Sequence, residues 1–263
     1  MTTVGWKARS WGTPDSDVFI LGLPGIEDRI NNAANITGGR DGGAAAPSFA
    51  DIKAFVADIV VFADSDADMD EKLRDIYAVT WGSTDPTAED PFTFTIPGQE
   101  ELTVFSRFTN RQNPTSFETR DRFRACRLQI AYEATDPMVY AALETAALNT
   151  GGSLTIDKGW APSNRWTWTA AGPSTNARLE IATPGYPDKV VHLSGSIPSG
   201  KTLTVESRPD LLVTEIDGDP VYSRFDNGDP DFPAEFPKLL PGQTVTHLGT
   251  GTAGTFSYWP ARP

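Results

Sequence analysis

Residues 126–132 read Cys126-Arg127-Leu128-Gln129-Ile130-Ala131-Tyr132, and the alternation in that stretch decides the fold. Successive side chains of an extended chain point to opposite faces, so Cys126, Leu128, Ile130 and Tyr132 share one face that favours burial. Arg127 and Gln129 fall on the other. The same period recurs at Phe92, Phe94 and Ile96, at Trp166 and Trp168, at Leu203 and Val205, and at Leu212, Thr214 and Ile216. Between these runs stand Pro97-Gly98, Gly172-Pro173, Asp217-Gly218 and Asn227-Gly228, residue types that supply the fixed or positive φ a reversal needs. With 23 Gly and 21 Pro spread over 263 residues, long helices are hard to fit, and the chain reads as all-β with one helix.

That helix begins at Ser65. Met69, Leu73, Ile76 and Tyr77 recur at helical spacing, and Asp68, Asp70 and Glu71 stand near the start, where carboxylates oppose the helix dipole favourably. Ser65 and Asp68 resemble a capping box with Asp in place of Glu, and Gly82 follows the apolar stripe. The spacing predicts a helix over 66–79.

Composition removes several function classes. Thirty-five acidic residues against 22 basic ones leave a net charge of −13, and the basic residues are scattered singly. A broad phosphate-gripping surface and a polybasic membrane patch both need clustered Lys and Arg. One cysteine, Cys126, excludes an intrachain disulfide framework and a multi-thiolate metal cluster. Lys7, Arg9, Asp15 and Asp17 interrupt the first residues, so no Sec-type export is expected. The longest apolar-leaning run, Ala54 to Ala63, carries Asp58 and is about half the length of a membrane-spanning helix.

Hydrophobic residues make up 39% of the chain, enough for a sizeable core, and the length favours two domains. Asn149, Gly151 and Gly152 follow a short apolar stretch, which places the junction at Leu148 to Ser153 and the domains at 1–148 and 151–263. Gly38 to Ala46, rich in Gly and Ala, reads as a mobile loop. No fixed-period repeat argues for a solenoid or propeller.

Asp64, Asp66 and Asp68 begin like a calcium loop, but Met69 stands where that loop needs glycine and Asp75 where it needs glutamate, so a capped helix start is the better reading. Asp226, Asp229 and Asp231 surround Asn227-Gly228 and read as turn chemistry. The only histidines, His192 and His247, lie in apparent strands, and Ser194 lacks the glycine-flanked elbow of a serine hydrolase. Cys126 reads as a buried, inert thiol. Gly38-Gly39-Arg40-Asp41-Gly42-Gly43 is not followed by the Lys and Ser/Thr of a phosphate loop. Trp160, Trp166 and Trp168 could form a sugar-stacking platform, although a shared strand face makes Trp166 and Trp168 better core residues. Asn35-Ile36-Thr37 fits a glycosylation acceptor, of little meaning without a secretory signal. The reading is of no enzyme, and no catalytic, cofactor or metal-binding residue is assigned.

Five passages in order carry a resemblance. Ile130 to Tyr140 resembles an aromatic-x-Ala-x-Asp-Pro-x-x-Tyr motif, here Tyr132-Glu133-Ala134-Thr135-Asp136-Pro137-Met138-Val139-Tyr140. Gly172-Pro173-Ser174-Thr175-Asn176-Ala177-Arg178-Leu179 is similar to a Gly-Pro-x-x-Asn-Pro-x-Ile stretch, with Ala177 in place of proline. Ile197 to Glu206 resembles a Leu-x-x-Gly-x-x-Leu-x-Ile-Asp strand entry, and Leu239 to Thr244 a Leu-x-Pro-Gly-x-Asn turn with Thr244 for asparagine. The end, with Phe256, Tyr258, Trp259 and Arg262, looks like a closing aromatic-Arg strand. Together they resemble the distal tail proteins of siphophages, the baseplate hubs often called Dit.

The resemblance implies an N-terminal split β-barrel carrying the helix, followed by a C-terminal galectin-like β-sandwich. It further implies a structural virion protein at the distal end of the phage tail, made in the host cytoplasm. Six copies would form a ring that joins the tail tube to the tail-tip hub protein and leaves a channel for DNA. The tape measure protein is a further partner on this reading, with no stable nucleic-acid binding and no membrane insertion. The ring would be made by the first domain. The alternative is a carbohydrate-binding tail or cell-surface adhesin module, since one fold serves many functions.

Overall fold

The computed structural model describes residues 3–6, 9–13, 17–24, 53–80, 89–95, 97–98, 100–111, 115–118, 124–134, 136, 138–159, 161–209, 212–226, 237–250 and 253–262. The segment Gly38–Ala46, Asn35-Ile36-Thr37, Gly82, Trp160, Asn227-Gly228, Asp229 and Asp231 lie outside the described residues. The chain divides into two compact units, Met1–Val139 and Tyr140–Pro263.

The first unit contains β1 (Thr3–Trp6), β2 (Arg9–Trp11), β3 (Val18–Gly22), β4 (Lys53–Ala63), helix α1 (Asp66–Thr80), β5 (Asp90–Thr95), β6 (Glu101–Arg111), β7 (Thr115–Glu118) and β8 (Arg124–Ala134). Strand β9 (Val139–Tyr140) lies at the division. The strands order β2-β1-β5-β6-β8-β4-β3, with β7 also paired to β8. The spine is the antiparallel β4–β8 ladder, in unbroken register from Lys53↔Ala134 to Ala63↔Arg124. It places Phe55, Ala57, Ile59 and Val61 beside Tyr132, Ile130, Leu128 and Cys126 on one face, all buried. The edge strands approach each other at Gly12, whose N–H donates to the Val18 carbonyl at 2.9 Å. No ladder joins them among the described residues, so the sheet does not close into a full barrel.

Helix α1 spans the predicted segment and ends one residue later, at Thr80. Ile76 enters the core, and Met69, Leu73 and Tyr77 pack against it, as the apolar stripe requires. At the centre, Phe55, Phe92 and Tyr132 meet pairwise with ring centroids 4.9 to 5.2 Å apart. Pro97-Gly98 turns β5 into its antiparallel partner β6, as the sequence indicates, with Gly98 at φ 82°.

The second unit holds β10 (Glu144–Leu148), β11 (Ser153–Thr155), β12 (Trp166–Ala171), β13 (Ser174–Ala182), β14 (Lys189–Leu193), β15 (Ser196–Ile197), β16 (Thr202–Ser207) and β17 (Leu212–Ile216). It continues with β18 (Asp219–Pro220), β19 (Phe225–Asp226), β20 (Thr244–Thr250), β21 (Gly254–Tyr258) and β22 (Ala261–Arg262). One sheet runs β10-β21-β12-β16-β17-β18 and the other β11-β20-β13-β14-β19, with β15 on β13. Their inner faces share one core that includes Trp166, Trp168, Leu203, Val205 and Phe256 from the first sheet and Leu179, Val191 and Val245 from the second. Residues 140–148, assigned to the first half from the sequence, belong to this unit because β10 pairs along its length with β21. The glycine-marked stretch after Leu148 is the turn that carries the chain from one sheet to the other.

A polar bond crosses the sandwich. The indole N–H of Trp168 donates to His247 Nδ1 at 3.0 Å, and both residues are fully buried. Trp168 stands on β12 and His247 on β20, so the bond ties one sheet to the other. Gly254 makes room for it: a Cβ there would sit 2.7 Å from the Thr169 carbonyl and 3.2 Å from the imidazole.

Two substitutions in the first unit test this account of the core. Ile59→Ala, at a fully buried position in the ladder, should lower unfolding free energy by about 2–5 kcal/mol in denaturant titration. Leu21→Ala, at a side chain 58% exposed, should change it by less than about 0.5 kcal/mol.

Candidate functional site

Asp58 lies on the outer face of β4, between Val56 and Val60, and its environment explains how a largely buried carboxylate is accommodated there. Its side chain is 10% exposed and Arg127 of β8 reaches it with two hydrogen bonds, Nε to Oδ1 at 2.9 Å and Nη2 to Oδ2 at 2.5 Å. This is a bidentate, charge-assisted pair. The hydrogen bond from Arg127 holds the Asp58 carboxyl below the usual range against the opposing effect of burial, and Gln129 assists. Arg127 is correspondingly held more firmly protonated by Asp58. On the same sheet face, Arg107 donates through Nε and Nη2 to Glu133 Oε2 at 3.2 and 2.9 Å. Two cross-strand ion pairs therefore join β4, β8 and β6 on the face turned away from the core.

The start of α1 forms a second polar cluster. The Asp68 N–H donates to Ser65 Oγ at 3.1 Å, and Asp68 Oδ2 accepts from the Asp64 N–H at 3.0 Å. The helix cap read from Ser65 and Asp68 is thus formed, with the return bond one residue earlier than in the usual box. Asp68 Oδ2 also accepts from Lys72 Nζ at 2.8 Å, the same ammonium that meets Asp17 at 2.8 Å and the Phe62 carbonyl at 3.0 Å. Burial works against the Lys72 charge, but the bonds to Asp17 and Asp68 outweigh it and raise its pKa. Asp68 is shifted down, chiefly by Lys72 and then by the Asp64 N–H. A cavity of about 320 Å³ is lined by Asp17, Phe19, Phe62, Ala63, Asp64 and Lys72, with Phe19 and Phe62 edge to face at 5.5 Å.

The other residues singled out in the sequence are dispersed. Trp166 and Trp168 are core residues, 2% and 0% exposed, and Trp166 Nε1 donates to the Pro237 carbonyl at 3.0 Å. Buried rings offer no face to a sugar. His192 pairs in register with exposed Arg178, whereas His247 pairs with buried Leu179, so the two imidazoles lie on opposite faces of one sheet. Ser194 is tied to Arg224 through its backbone: its N–H donates to the Arg224 carbonyl, and its carbonyl accepts from Arg224 Nε. Asp226 lies in β19. Cys126 is 2% exposed, and burial pushes its thiol pKa up.

The arrangement suits recognition and cohesion rather than proton transfer, because each of these charges already holds a partner of opposite sign. The Asp58–Arg127 pair and the Lys72 junction were missed in the sequence. The signal for the first was present, since a lone carboxylate inside an apolar run calls for a cation, but its partner stands 69 positions away. Nothing in the local pattern joined Asp17 to Lys72.

No family model matches the chain, and no curated protein sequence matches it. Solved structures do. The SPP1 Dit protein, described as a paradigm of the hub adsorption apparatus in phages infecting Gram-positive bacteria, aligns over 99% of this chain and 99% of its own, with 14% identity and a TM-score of 0.57. A structure of the phage P2 baseplate in its activated conformation with Ca aligns over 99% and 98%, with 6% identity and a TM-score of 0.55. The chain shares their fold from end to end.

The ion pair has an asymmetric signature. Arg127→Leu leaves a buried carboxylate without its main partner and should cost about 1–3 kcal/mol. Asp58→Asn leaves only a half-exposed guanidinium and should cost less, about 1 kcal/mol at most. Because the folded-state pKa of Asp58 lies below its unfolded value, its contribution is complete above about pH 4 and is lost as pH falls through the depressed value. The stability gap between wild type and Arg127→Leu should therefore be full near neutral pH and narrow as pH falls below about 4 in denaturant titrations. Cys126 should react with a thiol reagent far more slowly in the native protein than in denaturant, as followed by absorbance.

Proposed function

We propose that this chain is a distal tail protein of a siphophage, a structural hub at the distal end of the virion tail. Six copies form a ring that joins the tail tube to the tail-tip hub protein, contacts the tape measure protein, and leaves a central channel for DNA. The observation that carries this reading is the fold likeness to a phage hub protein over 99% of both chains. The ordered passages from Tyr132-Glu133-Ala134 to the closing Phe256–Arg262 stretch support it independently.

The chemistry fits a structural rather than a catalytic part. Saturated ion pairs on the β4–β8 face lend themselves to cohesion and recognition, and the hub reading assigns them no reaction. A net charge of −13 suits a channel through which DNA slides without adhering. The carbohydrate-binding alternative loses its aromatic platform, because Trp166 and Trp168 are core residues. On this reading the first unit makes the ring.

Electron microscopy of the purified full-length protein should show sixfold rings with a central hole. Particles of a single copy at all concentrations would count against the hub.

A further inference from the structure

The two edges of the first sandwich sheet differ. At one edge β18 is only Asp219-Pro220, and proline has no N–H to offer a neighbouring strand. At the other, β10 runs Glu144-Thr145-Ala146-Ala147-Leu148 in continuous register with Gly254–Tyr258. It carries no proline, lysine or bulge, the usual devices that blunt an edge. Its one charge, Glu144, is held by Lys158 at 2.6 Å. Alternate backbone N–H and C=O groups of β10 point away from β21, and no described backbone bond outside the ladder meets residues 144–148. Thr145 and Ala147 are exposed, and Leu143 just before the strand is 47% exposed. The edges of the facing sheet are shorter, with three residues in β11 and two in β19.

An open edge of this kind takes an extended strand, since only a strand satisfies a row of alternating donors and acceptors. We propose that β10 pairs with β10 of a second copy of this chain, antiparallel and centred on Ala146. The sequence of β10 is complementary to itself in that register. Glu144 falls opposite Leu148, Thr145 opposite Ala147, and Ala146 opposite its own copy. No like charges face each other, the two Glu144 residues lie at opposite ends, and the small side chains let the strands approach freely. Thr145 and Ala147 are too small to build pockets that would select an unrelated peptide, which favours the same strand as occupant. The contact is isologous, closing a pair about a twofold axis and joining two six-stranded sheets edge to edge.

The test uses the full chain at low ionic strength and measures particle mass across concentration by light scattering. T145K/A147K sets introduced lysines opposite one another twice in the paired register, at positions already exposed. T145K/A147E sets lysine opposite glutamate in the same places. The wild type should show twice the mass of T145K/A147K, and T145K/A147E should match the wild type. The twofold ratio is read whether or not the chain also forms the hub ring, so failure of one proposal is distinct from failure of the other. Equal mass for wild type and T145K/A147K at every concentration, or T145K/A147E remaining at the lower mass, overturns the pairing. Hydrogen exchange on the unmodified protein guards against a folding defect. Amides of residues 144–148 should exchange more slowly as concentration rises, and exchange independent of concentration rejects the proposal.

Discussion

The β4–β8 ladder is the constraint on which the first unit depends. Because side chains alternate strictly along a strand, sliding one strand past the other by a single residue would exchange its two faces. A slip of β8 would turn Arg127 and Gln129 toward Phe55 and Phe92 and carry Leu128, Ile130 and Tyr132 out of the core, and a slip of β4 would turn Asp58 inward. Burying unpartnered charge is costly enough to make that register inaccessible. The ion pair thus does more than offset the burial of one carboxylate. Asp58 meets Arg127 across the ladder only when the long strands are correctly aligned, so the pair also reads as a register pin. The β3, β6 and β7 strands then add to edges whose alignment is already fixed.

How much of this was legible depended on whether a segment had two chemically different faces. Strand β8, strand β12 and helix α1 were recoverable from sequence because one face is apolar and the other is not. Strand β4 was not read as a strand at all. Val56, Val60 and Phe62 lie on its outer face, so the run from Ala54 to Ala63 shows no period of two. Strands β1, β2 and β3 are three to five residues long, too short for a pattern to emerge. The junction was placed late for a related reason: glycines mark reversals equally well within a domain and between domains. The polar site was least legible, since Asp17, Asp58, Lys72 and Arg127 acquire their meaning only from pairings that cross the sequence.

Similarity of fold at 14% and 6% identity shows how few identical residues are needed to keep the fold. What persists is a pattern of buried faces and turns, which many sequences satisfy. The Trp168–His247 bond is the opposite kind of feature. It needs a donor, an acceptor and the missing side chain of Gly254 at three separated positions. Its geometry fixes the imidazole proton on Nε2, because Nδ1 is already an acceptor. A core held by such a bond specifies the relative position of its two sheets more narrowly than apolar contact alone.

The β17–β18 turn has a consequence for how this protein behaves when crowded. Asp217 and Gly218, both left-handed at φ 50° and 87°, fold the chain back into a strand of two residues that ends in proline. In the language of polymerisation, β18 is a terminated end. A sheet that can add strands at only one margin has a valence of one: it can be consumed in a single pairing event but cannot propagate. Fibres require two reactive ends on every unit, and this sheet is denied the second by Pro220. Even at the high local concentration of a particle being built, association through it stops at a finite product.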